Sequence, residues 1–338
     1  MISKEFCMKK IFQLAVVLLC LAGLAGGCGQ GTGGADTVTL YSDLDEKFVQ
    51  AMADKYNARR NDKEKVKVAV AKKDSDPQAA DVVLGSTDLL RRLADQDALQ
   101  PVPSEYADLL PETLKDKKDR WLGVFYDPAV ILVNQAYSRQ VGQENIEHWL
   151  DLTTLPSARI SMENLTNTES TKNFLAAASS HMGQDACLDF LRKLRNQTRF
   201  AKYAISPVRM TATGDADIAI TRRSQVFKYL QNDFPAYAFI PEEGSPIELF
   251  GAGLVKAGRK GKKAVSFVNW LLQDSEARTV LTTERCGFLP VLPQGRKGPV
   301  IDTGVLWTNT FYKDAEAVQK LANIWMKEIR IDAAEVEN

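Results

Sequence analysis

Apolar positions along the chain change period several times, and each change marks an element. Thr37-Val38-Thr39-Leu40-Tyr41 alternates and is rich in β-formers, which predicts a strand. Asp45 then opens a helix whose Phe48, Val49, Met52, Ala53 and Tyr56 share one face. Val66–Val70 and Ala80–Leu84 predict two further strands, the second a short apolar run suited to a buried parallel sheet. Thr87 starts a helix with Leu89, Leu90 and Leu93 inward. This βαβαβ rhythm predicts a doubly wound α/β lobe.

Trp121–Asn134 breaks the rhythm. Two β-like runs flank Asp127-Pro128, and a long extended segment broken by proline can carry the chain into a second lobe. Residues 157–249 then repeat the α/β pattern. Strands are predicted at Arg159–Met162, Asp217–Ile220 and Tyr237–Ile240, and helices at Ser170–His181, Gln184–Arg195 and Arg222–Leu230. Glu248–Val255 reads as a returning crossover, followed by helices at Lys262–Gln273 and Ser275–Glu284. An extended piece at Gly287–Val291 and a closing helix at Asp314–Ile329 complete the chain. The expected division is lobe 1 at 37–125 plus 250–330, and lobe 2 at 126–249.

The amino terminus carries a different signal. Lys4, Lys9 and Lys10 precede an apolar stretch of 14 residues, Ile11–Leu24, which suits a signal-peptide core better than a bilayer span. The run Leu24-Ala25-Gly26-Gly27-Cys28 resembles the lipobox of bacterial lipoproteins, in which the cysteine becomes the lipid-bearing first residue. Residues 1–27 are then a signal peptide and 28–36, rich in glycine, a flexible tether. This places the protein at the cell membrane, lipid-anchored through Cys28 and facing the extracytoplasmic side. Removing residues 1–27 takes the formal net charge from 0 to −2. So balanced a surface lacks the basic footprint of a nucleic-acid binder. Export permits a disulfide between Cys187 and Cys286, but Cys187 lies on an apolar helical face and Cys286 precedes a strand, which favours two separately buried thiols. His148 and His181 have no partner at metal-ligand spacing, so neither zinc nor another cofactor is expected.

Seven segments in order resemble the extracellular solute-binding proteins of bacterial ABC importers, in the group containing ferric-iron, phosphonate, sugar-phosphate, polyamine and thiamine binders. They are Val38–Ser42, Ala80–Leu84, Trp121–Val124, Gly214–Ile220, Pro241–Pro246, Val268–Leu272 and Gly287–Val291. The resemblance implies a type 2 periplasmic-binding-protein fold: two doubly wound α/β lobes joined by crossover strands, with a small-molecule solute held in the cleft and delivered to ABC permease subunits. A monomer is expected, and no enzyme: neither Gly-x-Ser-x-Gly nor His-Glu-x-x-His occurs. An extracytoplasmic enzyme or a ligand sensor remain the competing classes.

Ligands of open α/β sheets sit beyond the carboxyl ends of the strands. Tyr41, Ser42 and Asp45 follow the first strand, Ser86 and Thr87 the third, and Thr168, Ser170 and Thr171 precede a helix. Helix starts offer unpaired N–H groups that suit anionic oxygens, although any one of these hydroxyls can also serve only as a cap. Iron-binding relatives use an adjacent tyrosine pair. Here Thr221-Arg222-Arg223 stands just after Ile220 instead, so the ferric-iron reading is the alternative. An arginine fork at Arg222 suits a phosphate, phosphonate or carboxylate. Tyr126 and Asp127, at the expected hinge, suit an amine or hydroxyls. A solute with an anionic group, carrying an amine or hydroxyls besides, fits the set.

The anchor is testable from the sequence alone. Stable anchoring needs more than one acyl chain, at about 0.8 kcal/mol per buried CH₂. Cys28→Ser is expected to move the protein from washed membranes to the soluble fraction; persistence in carbonate-washed membranes would contradict the lipoprotein reading.

Overall fold

The computed structural model describes residues 37–58, 67–142, 146–155, 157–229, 234–283, 286–293, 304–312 and 314–331. The expected signal peptide, Cys28 and the tether lie outside the described residues. Asp45 caps the first helix, α1 (Glu46–Asn57), by accepting hydrogen bonds from the amides of Lys47 and Phe48. That helix buries the five apolar residues expected of it.

In the first lobe, β1 (Thr37–Tyr41) runs parallel to both β2 (Lys67–Val70) and β3 (Val82–Ser86). The long β10 (Ser245–Val255) pairs antiparallel with β3 and with β5 (Trp121–Asn134). In the second lobe, β5 pairs with β8 (Ile218–Arg222) and β9 (Ala236–Phe239), and β6 (Ile160–Glu163) lies between β8 and β7 (Thr198–Ala201). Helices α2 (Thr87–Asp95), α8 (Gly261–Gln273) and α9 (Ser275–Thr283) contribute to the first core. Helices α4 (Glu169–Met182) and α5 (Gln184–Leu194) contribute to the second. Between them in the chain, α3 is Gln135–Val141, α6 is Ile205–Thr213 and α7 is Arg223–Tyr229.

Three expectations are corrected. Trp121–Asn134 is one continuous strand, not two runs broken by Pro128. Proline removes a ladder donor and is tolerated where pairing changes hands. Here β10 is in register with β5 up to Ile247↔Pro128, and β8 takes over from Ala129↔Arg222. Past that point the side chains of β5 alternate between two apolar clusters, Ala129, Ile131 and Val133 on one face and Val130 and Leu132 on the other. Second, Arg222 ends β8 and does not open the following helix, which starts at Arg223. Third, residues 250–330 do not all return to lobe 1. Trp307, Tyr312, Val318, Leu321, Trp325 and Ile329 pack in the second core with Leu175, Leu191 and Ile160. The helix α10 (Ala315–Trp325) carries the apolar face that the sequence shows, but periodicity does not say which lobe that face meets.

Trp325 is fully buried, and its ring meets Phe200 edge-on at 5.3 Å. Trp325→Ala is expected to cost about 3–5 kcal/mol in urea unfolding, as deletion of a buried aromatic does. A loss under about 1 kcal/mol would mean that the last helix is not part of the second core.

Candidate functional site

The hand-over of strand pairing at Asp127-Pro128-Ala129 gathers three charged residues from three strands. Asp127 on β5 stands directly opposite Glu248 on β10, and Arg222 at the end of β8 stands opposite Ala129. Directly opposed like charges destabilise a sheet, and a nearby cation offsets that cost. Arg222 supplies it. Its Nη1 lies 3.1 Å from Glu248 Oε2, and its Nη2 donates to the Ser170 carbonyl at 2.6 Å. Ser170 Oγ closes the ring by donating to the same Glu248 oxygen at 2.7 Å. Asp127 is 2% exposed and accepts a 3.0 Å hydrogen bond from the Ser224 amide at the start of α7.

These residues form the floor of a cavity of about 450 Å³. One wall is aromatic. Phe48, Phe250 and Phe288 face it and pack on one another, with Phe288 5.4 Å from Phe48 and 5.1 Å from Phe250, ring centre to ring centre. Phe125 backs this group, stacked on Phe288 at 5.1 Å. The opposite wall comes from the second lobe: Met162, Leu165, Phe174 and Ile220 with the start of α4. Gly287 lets the two sides approach. Its φ is 72°, and a Cβ there would stand 2.8 Å from the Arg223 carbonyl oxygen and Ser224 Cα. A second interlobe bond runs from Asn173 Nδ2 on α4 to Asp88 Oδ2 on α2 at 2.9 Å.

Of the residues singled out from sequence, Asp45, Asp127, Thr168, Ser170, Thr171 and Arg222 line this cavity. Tyr41, Ser42, Ser86, Thr87 and Tyr126 do not. Tyr41 is buried, and its hydroxyl donates to the Lys73 carbonyl; Ser42 accepts from the Leu44 amide. Ser86 caps α2 through the Leu89 amide and donates to Asp43. Ser86 and Thr87 line a smaller hollow of about 40 Å³ with Asp88, Asn173 and Glu248. Tyr126 is half-buried beside the aromatic group, and burial raises its phenol pKa. Thr168 and Thr171 form a reciprocal capping box at 3.1 Å, so the capping reading applies to both even as they border the cavity.

Sequence reasoning missed Glu163 and Glu248, two of the three carboxylates of the floor. Both carried a signal. Glu248 is the lone charge inside the apolar run Pro246-Ile247-Glu248-Leu249-Phe250, and Glu163 closes the strand Ile160–Glu163. It also missed the cations Lys47 and Lys228 at the rim. Neither Cys187 nor Cys286 is in a disulfide; both thiols are free and buried, and Cys286 borders the cavity.

Burial pushes the Asp127 carboxyl up to about 6, and Glu248 adds to the rise, against the pull of Arg222 and the Ser224 hydrogen bonds. A carboxyl raised in the fold holds its proton at pH values where the unfolded chain has released it. Stability from this group therefore rises as pH falls through 6 towards 4. Glu163 and Asp88 are raised too, both chiefly by burial, so the variant comparison isolates Asp127. Asp127→Asn is expected to flatten the pH dependence of the urea midpoint between pH 7 and 5. Equal slopes in the two proteins would show that Asp127 titrates in the fold as it does unfolded.

Comparison with known proteins agrees with this architecture. Residues 77–311 match the family described as bacterial extracellular solute-binding protein. An uncharacterized protein of Haemophilus influenzae is 25% identical over 241 residues, which cover 68% of this chain and 69% of that one. The periplasmic binding protein AfuA of Actinobacillus pleuropneumoniae, solved with exogenous fructose-6-phosphate bound, superposes with a TM-score of 0.62 at 19% identity, over 88% of this chain and 100% of that one. The ferric iron-binding protein A of Mannheimia haemolytica, in an open conformation, gives 0.65 at 19% identity over 88% and 99%. Such identities establish the fold, that of the two-lobed type 2 periplasmic binding proteins. No described helix is long and apolar enough to cross a membrane. The chain belongs to the family of bacterial extracellular solute-binding proteins of ABC importers, a solute-binding class that acts outside the cytoplasm.

Proposed function

We propose that this chain is a membrane-tethered capture protein, held by lipid on Cys28, that closes its lobes on a small polar solute with an anionic group and presents it to a permease. Phosphonate, phosphorylated and carboxylated compounds are the candidate classes. The observation that carries the reading is the position of Arg222: a guanidinium on the floor of a 450 Å³ cavity, bordered by residues from both lobes. A planar fork of donors suits a carboxylate or phosphate through paired hydrogen bonds. The Thr171 amide is taken by its cap Thr168, but the start of α4 still brings the positive end of the helix dipole to Ser170 at the same end. Lys47 and Lys228 at the mouth favour the approach of an anion. A ligand touching both walls stabilises the closed arrangement over any open one, and closure is what a permease can read.

Ferric iron, named for the Mannheimia protein, is the weaker reading for this chain. Arg222 already engages Glu248, so that carboxylate is not free to serve as an iron ligand. Among the described residues, no three His, Cys, Asp or Glu side chains stand together as a metal-binding group.

Because Arg222 also neutralises Glu248, its removal would leave a half-buried carboxylate without its ion-pair partner and weaken the fold itself. Arg222→Lys keeps the charge and removes the fork. With the solute retained through mild purification and identified by mass spectrometry, calorimetry is expected to show binding weakened about tenfold, the loss of about 1.4 kcal/mol. The melting temperature of the empty protein should stay within about 3 °C. Unaltered affinity would remove Arg222 from the solute site.

A further inference from the structure

The floor of the cleft has one guanidinium and three carboxylates. Asp127 and Glu248 face each other in register across β5 and β10, and Glu163 at the end of β6 borders the same cavity. Asp127 and Glu163 both feel the field of Arg222 and of Glu248, so the four groups form one electrostatic cluster. The remaining charges of the lining, Asp45, Lys47 and Lys228, are exposed at the rim, and half-buried Arg223 behind the lining offsets Asp127, which leaves Glu248 and Glu163 to share Arg222. Arg222 is already engaged by Glu248 and by Ser170. An anion that took Arg222 from Glu248 would leave that carboxylate without its counter-ion, in a site only 24% open to solvent at this side chain. Losing one partner of a buried ion pair is costly. A solute avoids the cost if it brings its own cation and exchanges partners, its anion to Arg222 and its ammonium to Glu248.

We propose that Glu248 and Glu163, backed by Asp127, are an ammonium subsite beside Arg222, and that the captured solute is a zwitterion whose two charged groups are borne on the same carbon or on adjacent carbons. The proposal rests on the capture reading above and narrows its solute class. Arg222 and Glu248 are neighbours close enough to pair at 3.1 Å, so a solute that exchanges partners with them carries its two charges only a few atoms apart, as in an α- or β-amino acid or an aminoalkyl phosphate. The aromatic wall is suited to the same group. Faces of Phe250 and Phe288 attract a cation, and the apolar residues Met162 and Phe174 opposite accept an uncharged remainder. Ser170 Oγ holds Glu248 in place and makes it a preorganised acceptor.

The test is calorimetry on the whole protein with matched triplets. L-phenylalanine, L-leucine, β-alanine and O-phosphoethanolamine are each compared with the counterpart lacking the amine and the counterpart lacking the anion. At least one zwitterion is expected to bind at least tenfold more tightly than both of its counterparts. Glu248→Gln, which keeps the shape and the link to Ser170, should weaken that zwitterion tenfold or more and leave the amine-free counterpart as tight or tighter, because Arg222 is no longer held by a carboxylate. An amine-free compound binding as tightly as its zwitterion overturns the ammonium subsite and leaves the anionic capture reading intact. An anion-free amine binding as tightly does the reverse for the anionic group, and overturns the zwitterion with it. If no zwitterion binds, the proposal fails. A retained solute without an amine would show in that case that capture itself survives.

Discussion

The antiparallel pairing of β5 with β10 is the constraint on which the rest depends. Each strand is long enough to leave one lobe and enter the other, and their registered stretch runs from Gly253↔Trp121 to Ile247↔Pro128. A bulge at Phe250/Gly251, where Val124 has no partner on β10, turns the pair within the first lobe. The Val124 carbonyl is then free to accept from the Val291 amide, which brings the segment carrying Phe288 and Gly287 to the cleft. At Pro128 the pairing changes hands. A sheet cannot be severed there without orphaning buried backbone groups, so rotation of the lobes must pass through these strands.

The same hand-over explains why the charges are where they are. Backbone geometry, not side-chain choice, puts positions 127 and 248 opposite each other and 222 one step beyond. Two acids in register would be unfavourable in a closed apolar core. At an open seam between lobes they are tolerable, because an arginine from a third strand reaches them and water or solute completes the balance. Burial raises the Asp127 carboxyl, and the opposed Glu248 adds to the rise.

Local pattern carried most of the fold. The strands at Thr37–Tyr41 and Ala236–Phe239 and the helices after Asp45, Ser86 and Thr168 follow from alternation, periodicity and caps that neighbouring residues supply. What was hidden depends on distant partners. Periodicity gave α10 its apolar face but not its lobe, and Pro128 looked like a break because its pairing partners lie more than ninety residues away. The site was half legible for the same reason. Arg222 stands out at a strand end and Asp127 beside a strand proline, whereas Tyr41, Ser42 and Ser86 also lie at strand ends but spend their hydroxyls locally. Only the tertiary register reveals that Glu248 and the Ser170 carbonyl engage Arg222, and so that the arginine is not a free anion hook.

The central claim is that two separately cored lobes turn about the β5–β10 seam when a solute bridges the cleft. Small-angle X-ray scattering of the protein, empty and then saturated with a solute whose binding calorimetry has established, tests it most directly. The account predicts a smaller radius of gyration in the saturated protein, with the change abolished when the same solute is supplied below its dissociation constant. A solute that saturates the protein and leaves the radius unchanged would contradict it.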